Sequence, residues 1–161
     1  MQAASITRAK IQAPRFRQGL IERGELEQQL GDALASRRLV LLVAPAGYGK
    51  TAALSRQLQR LPPGWAVAWL TADEEDDLQR LLSYLIEALE PLDPPWRLAP
   101  GAFHDLVVQG RVREAATALP GTLEATATPR CVIVLDDLHT VTDARVFEFL
   151  SHLLDGLPQN W

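Results

Sequence analysis

The stretch LVLLVAPAGYGKTAALSRQL, Leu39 to Leu58, constrains this chain more than any other. Five apolar residues, Leu39–Val43, run straight into a Pro/Gly/Gly turn. Gly49-Lys50-Thr51 follows, and then Leu54, Leu58 and Leu61 fall on one helical stripe until Pro62-Pro63-Gly64 stops it. A short, unbroken apolar run suits a strand buried on both faces of a parallel sheet. The reading is a strand, a tight turn and a helix that opens with a lysine and a hydroxyl.

That arrangement is the signature of a phosphate-binding loop. Successive backbone N–H groups of such a turn point inward and form a concave anion site. The helix N-terminus adds partial positive charge, and glycine lets the backbone approach the phosphates closely. The loop Pro45, Ala46, Gly47, Tyr48, Gly49, Lys50, Thr51 and Ala52 is the candidate nucleotide cradle. Lys50 is expected to reach the β- and γ-phosphates, and the Thr51 hydroxyl to ligate Mg²⁺. The pattern G-x-x-x-x-G-K-[ST] asks for glycine at position 44, where this chain has Ala44. The remaining G-x-G-K-[ST] arises by accident in on the order of one chain in a hundred of this length, and the flanking strand and helix make accident rarer still.

A second stretch supports the first. Cys131–Leu135, CVIVL, is an apolar run that ends in Asp136-Asp137. On a strand next to the phosphate loop, Asp136 is expected to hold Mg²⁺ through its water shell. Asp137 then sits where a carboxylate can orient or deprotonate an attacking water. His139 is read as a hydrogen-bonded structural residue, because one unpaired histidine is weak evidence for chemistry.

Along the rest of the chain, helices are expected over 25–35, 78–89 and about 143–155. Leu78, Leu81, Leu82, Leu85, Ile86 and Leu89 make one apolar face; in the last helix Phe147, Leu150 and Leu154 are expected to face inward. Asp76 and Gln79 suit a capping box, and DEEDD, Asp73–Asp77, reads as a solvated loop. Trp65–Leu70 is a second buried strand, with Trp65 and Trp69 as packing residues. Residues 91–103 are rich in proline, helical pattern is weak over 104–119, and Pro120-Gly121 is expected to interrupt it. Strands alternating with helices give an α/β P-loop fold, a parallel sheet flanked by helices.

Composition bounds the function. The chain has 161 residues, about one domain. Its net charge of −4 gives no whole-chain footprint for nucleic acid. Arg8, Lys10, Arg15 and Arg17 form a local basic arm, read as solvated. The single cysteine, Cys131, excludes an intramolecular disulfide and fits a reducing compartment. No apolar run approaches the ~20 residues that span a bilayer. The expected setting is cytoplasmic, with no membrane partner.

PAGYGKT, WLTADEEDDLQRLLSYLIEAL and VIVLDDLHTV, in that order, resemble the nucleotide-binding domain of MalT-like regulators. These are LuxR-type transcriptional activators of the STAND class of P-loop ATPases. The opening KIQAPRFRQGLIERGEL is similar to theirs. The resemblance implies a signal-gated switch that is inactive with ADP, self-associates with ATP and an inducer, and is reset by hydrolysis. It implies a basic extended segment over 1–24 near the adenine, with Ile21 and Arg23 as nucleotide contacts, and a P-loop domain over 25–161. The cofactors are ATP or ADP with Mg²⁺. Inducer and DNA contacts are expected only through regions absent from this sequence.

Members of that family continue into a further strand, which lies between the phosphate-loop strand and the Asp-Asp strand. The fold is therefore expected to be incomplete at its C-terminal end, with two open apolar strand edges that invite pairing with another chain. ATP hydrolysis is then expected to be slow or absent. The alternatives are a non-catalytic fragment that self-associates or binds a partner, and a P-loop small-molecule kinase. A kinase needs an arginine-rich lid, and only Arg145 lies between Asp136 and Trp161.

Overall fold

The computed structural model describes residues 8–14, 23–92, 100–124 and 130–161. Arg15, Arg17, Leu20 and Ile21 lie outside them, as does the middle of the proline-rich stretch. Helices α1 (Gly24–Ser36) and α2 (Lys50–Leu58) precede strand β1 (Trp65–Thr71) and helix α3 (Leu78–Leu89). Helices α4 (Pro100–Val108) and α5 (Val112–Leu123), strand β2 (Arg130–Asp136) and helix α6 (Ala144–Gly156) follow.

β1 and β2 pair in parallel, from Trp65 opposite Arg130 to Thr71 opposite Asp136. Period-two alternation divides their side chains between two faces. Ala66, Ala68 and Leu70, with Cys131, Ile133 and Leu135, face a core built with α3, α4, α5 and α6. The same alternation puts Asp136 on the face of Val132 and Val134. All six apolar residues expected on α3 are buried, and each fully buried leucine there contributes about 1.5–3 kcal/mol. Trp69 is buried with its indole N–H donating to the Thr71 hydroxyl; half-buried Trp65 lies under the Arg130 guanidinium, 5.0 Å from the ring centroid. Cys131 is buried, and burial pushes its thiol up to about 12, so it stays protonated.

The architecture is an incomplete α/β P-loop fold, and several local expectations are corrected. Leu39–Val43 forms no strand and pairs with none among the described residues, and Leu41 and Val43 are 75% and 90% exposed. An apolar run becomes a buried strand only beside a neighbour that supplies its hydrogen bonds. Here Arg38 anchors the start of the run to the end of α6, donating to the carbonyls of Leu154 and Leu157 at 2.7 Å. A groove of about 640 Å³ separates the run from the far edge of β2. Phe147, Leu150 and Leu154 line that groove, while Val146, Phe149 and Leu153 are the buried stripe of α6. Both stripes are apolar, so the expected inner face was the wrong one.

Three further differences concern loops and breakers. Pro120 lies inside α5, which continues to Leu123. The helix survives there because Pro120 is buried against α6, so close that a Cβ on Gly156 would come within 3.0 Å of its ring. The cap of α3 is Asp77, which accepts the Arg80 N–H at 2.9 Å, and not Asp76. The N-terminus of α6 is capped by Asp143, which also accepts the Leu78 N–H at 3.0 Å and so ties α6 to α3. The Arg145 guanidinium beside Asp143 holds its carboxyl down at about 2. Asp76 is not solvated but buried, paired with a half-buried Lys10.

A pair of truncations separates core from edge. Leu82→Ala in α3 is expected to lower unfolding free energy by about 2–5 kcal/mol. Leu41→Ala in the exposed run is expected to change it by less than about 0.5 kcal/mol. Urea denaturation of both variants checks this; a comparable loss at Leu41 would mean that the run is packed.

Candidate functional site

The site is built where the turn after Leu39–Val43 meets the C-terminal end of β2. Gly47 and Gly49 have φ of 82° and 79°, a region closed to most L residues. Those two kinks curl the backbone into a concave loop. Ala44 lacks a positive φ, so glycine is not required at the position where this chain departs from the pattern. Gly49 is the N-cap of α2, and no side chain caps that helix. Its first N–H groups and the positive end of its dipole are thus available to an anion. Pro45, Ala46, Tyr48 and Ala52 complete the cradle expected from the sequence.

Lys50 is half-buried, and its ammonium donates to the carbonyls of Ala44 at 2.7 Å and Pro45 at 3.3 Å. The lysine is folded back onto its own loop, within reach of whatever the loop holds. The Thr51 hydroxyl donates to Asp136 Oδ2 at 2.9 Å, joining α2 to β2 across 85 residues. The Asp137 N–H donates to the other Asp136 oxygen at 3.1 Å. A hydroxyl and a carboxylate side by side form the all-oxygen donor set that suits Mg²⁺. These residues fit the nucleotide and the metal that the motif implies.

Asp137, just after β2, has a left-handed conformation with φ of 54°, the one such non-glycine residue among those described. Its side chain is half in solvent. Asp tolerates this region better than most residues, but such strain gathers at functional positions. The His139 ring is exposed, with Nδ1 3.8 Å from Asp137 Oδ1. Its expected structural hydrogen bond gives way to a place beside Asp137. Arg23 donates to the Tyr48 carbonyl at 3.3 Å, so it touches the loop itself. Ile21 lies outside the described residues.

Sequence reading missed what braces α2. Glu27 of α1 is buried and receives Arg56 of α2 and Arg60 of the turn that follows α2, each at 2.6 Å. The hydrogen bond from Arg56 leads the effects that lower the Glu27 pKa. Only the charges themselves signal this bridge in the sequence, and charges do not name their partners.

The loop conformation makes a testable demand. Gly49→Ala must hold a side chain at φ near +79° and is expected to cost about 1–2 kcal/mol. Gly24→Ala, at the start of α1 with open space around it, is expected to stabilise by about 0.4–1 kcal/mol. Equal effects in chemical denaturation would contradict the loop geometry.

The chain matches the model of the AAA ATPase domain over residues 20–160. It is 36% identical over 124 residues to the serine/threonine-protein kinase PknK of Mycobacterium tuberculosis, covering 74% of this chain. It is 31% identical over 164 residues to the HTH-type transcriptional regulator MalT of Cronobacter sakazakii, covering 94% of this chain. The MalT of Vibrio parahaemolyticus is 28% identical over 126 residues, covering 76% of this chain. The matches span only 11%, 16% and 13% of those three relatives' lengths. Together with the phosphate loop and the Thr51–Asp136 pair, the match over residues 20–160 means that the chain belongs to the AAA ATPase domain family, as a MalT-like P-loop ATPase domain.

Proposed function

We propose that this domain is the ATP-binding, slowly hydrolysing switch module of a signal-responsive transcriptional activator of the LuxR/MalT-like kind, working in the cytoplasm. The observation that carries the reading is the hydrogen bond between Thr51 and Asp136 at the mouth of an uncapped, lysine-bearing helix. Gly47, Gly49 and the first N–H groups of α2 bind the phosphates. Lys50 leaves the Ala44 and Pro45 carbonyls to meet them. Thr51 and Asp136 hold Mg²⁺, which supplies charge neutralisation at the phosphates when bound. Asp137 orients and deprotonates the attacking water. Arg23, which reaches the loop at the Tyr48 carbonyl, is a nucleotide contact on this reading. Inducer and DNA contacts belong, on this reading, to regions outside this sequence.

A second reading draws support from the groove. Leu41 and Val43 stand exposed across from a β2 edge that pairs with no strand among the described residues. Self-association through this edge would make the chain an interaction module with a site that binds without turnover. The kinase activity in the name of PknK is that protein's, and no arginine-rich lid among the described residues supports phosphoryl transfer to a small acceptor.

ATP turnover tests the first reading. Wild type is expected to hydrolyse ATP slowly. Asp137→Asn is expected to lower the rate by about a hundredfold or more, with ATP and ADP affinity little changed. Wild-type turnover in that variant would remove Asp137 from its role. Binding without any turnover in the wild type would favour the second reading.

A further inference from the structure

Lys10 of the N-terminal basic arm and Asp73 and Asp76 of the acidic loop after β1, all expected to be solvated, meet in a partly buried cluster. Lys10 sits in a 3-10 turn, Arg8–Ile11, whose Ile11 packs on the core. Its ammonium lies 2.6 Å from Asp73 Oδ2, and 2.7 and 2.8 Å from the two Asp76 oxygens. The Tyr84 ring centroid is 4.9 Å away. The Lys10 side chain is 14% exposed and that of Asp76 only 1%. Two carboxylates and a ring face surround an ammonium group with three donors. Burial opposes the Lys10 charge, but the hydrogen bonds to Asp73 and Asp76 outweigh it and raise its pKa. The other cation at the cluster is Arg80, whose Nε is 3.6 Å from Asp76 and whose Nη1 is engaged by Glu75 at 3.2 Å.

The cluster closes the loop that abuts the metal-side carboxylate. Asp76 Oδ2 accepts the Asp73 N–H at 2.9 Å, and the Asp76 N–H donates to the Asp73 carbonyl at 3.1 Å. One residue earlier, the Ala72 N–H donates to the Asp136 carbonyl at 2.9 Å. Thr71 stands opposite Asp136 in the register. The contacts therefore run from Lys10 through Asp76 and Asp73 to Ala72, then to Asp136 and Thr51. A buried ion pair is weak evidence of stabilisation, because desolvation offsets most of its attraction. Its value here is in shape.

We infer that Lys10 is a positioning residue for Asp136: by closing the 72–76 loop it fixes the end of β2 from which the Asp136 carboxylate reaches Thr51. This rests on the Mg-nucleotide reading of the site. Supporting groups behind a metal ligand govern metal affinity even though they never touch the ion. Lys10 thereby acts on the Mg²⁺-dependent part of nucleotide binding and leaves the phosphate loop's own grip untouched.

The experiment is equilibrium binding of ADP in excess Mg²⁺ and in EDTA, with the ligand-free thermal midpoint measured beside it. Wild type, Lys10→Met, Lys10→Arg and Asp76→Asn are compared. Lys10→Met, which keeps the stem and loses the charge, is expected to weaken Mg-ADP binding on the order of tenfold. Its binding in EDTA is expected to match wild type, and Lys10→Arg is expected to restore the Mg²⁺-dependent part. Asp76→Asn, similar in shape, is expected to reproduce the loss and serves if Lys10→Met does not fold. Mg-ADP affinity unchanged in the folded variants overturns the inference. So does an equal loss with and without Mg²⁺, which is a purely structural effect. A wild type that binds no ADP overturns the nucleotide reading itself, and this inference with it.

Discussion

The hydrogen bond from the Thr51 hydroxyl to the Asp136 carboxylate joins two pieces of chain that local sequence does not bring together. One piece is the glycine turn and the helix it launches; the other is the end of a strand 85 residues later. The parallel register of β1 and β2 sets how far β2 reaches, and Asp136 is its last residue. The Glu27 bridge to Arg56 and Arg60 holds α2 against α1 from behind. The Lys10 cluster holds the loop on the other flank. The geometry of the candidate site is therefore a property of the tertiary structure, and the loop alone would not have it.

The same constraint explains the open groove. A parallel strand is stable when both edges and both faces are covered. β2 has β1 on one edge. On its other edge, the Cys131 N–H donates to the Asn160 carbonyl at 2.9 Å, and further along the groove intervenes. Leu39–Val43 has the composition of a strand, and among the described residues no partner makes it one. Its exposure, and the apolar stripe of α6 that faces the same space, are two results of one missing contact.

Much of this was legible in the sequence. β1, β2 and α3 follow from apolar runs and helical spacing, because their burial is what the pattern encodes. Gly47 and Gly49 were readable as the kinks of a tight turn, because a positive φ favours glycine; the roles of Lys50, Thr51 and Asp136 belong to the proposed site. What was not legible depends on distant partners. Leu39–Val43 reads as a strand whether or not a neighbour exists. Val146, Phe149 and Leu153 cannot be told from Phe147, Leu150 and Leu154 by periodicity, since both stripes are apolar. Lys10 and Asp76 read as solvated charges because their pairing spans 66 residues.

The central claim is that the phosphate loop and Asp136 form one assembled Mg-nucleotide site. A thermal melt with and without Mg-ATP and Mg-ADP, beside Lys50→Ala, tests it most directly. A ligand that binds only the folded state raises stability by about 2.7 kcal/mol at a hundredfold excess over its dissociation constant. The account predicts a nucleotide-dependent rise that Lys50→Ala abolishes. A cooperative wild-type melt indifferent to both nucleotides would contradict it.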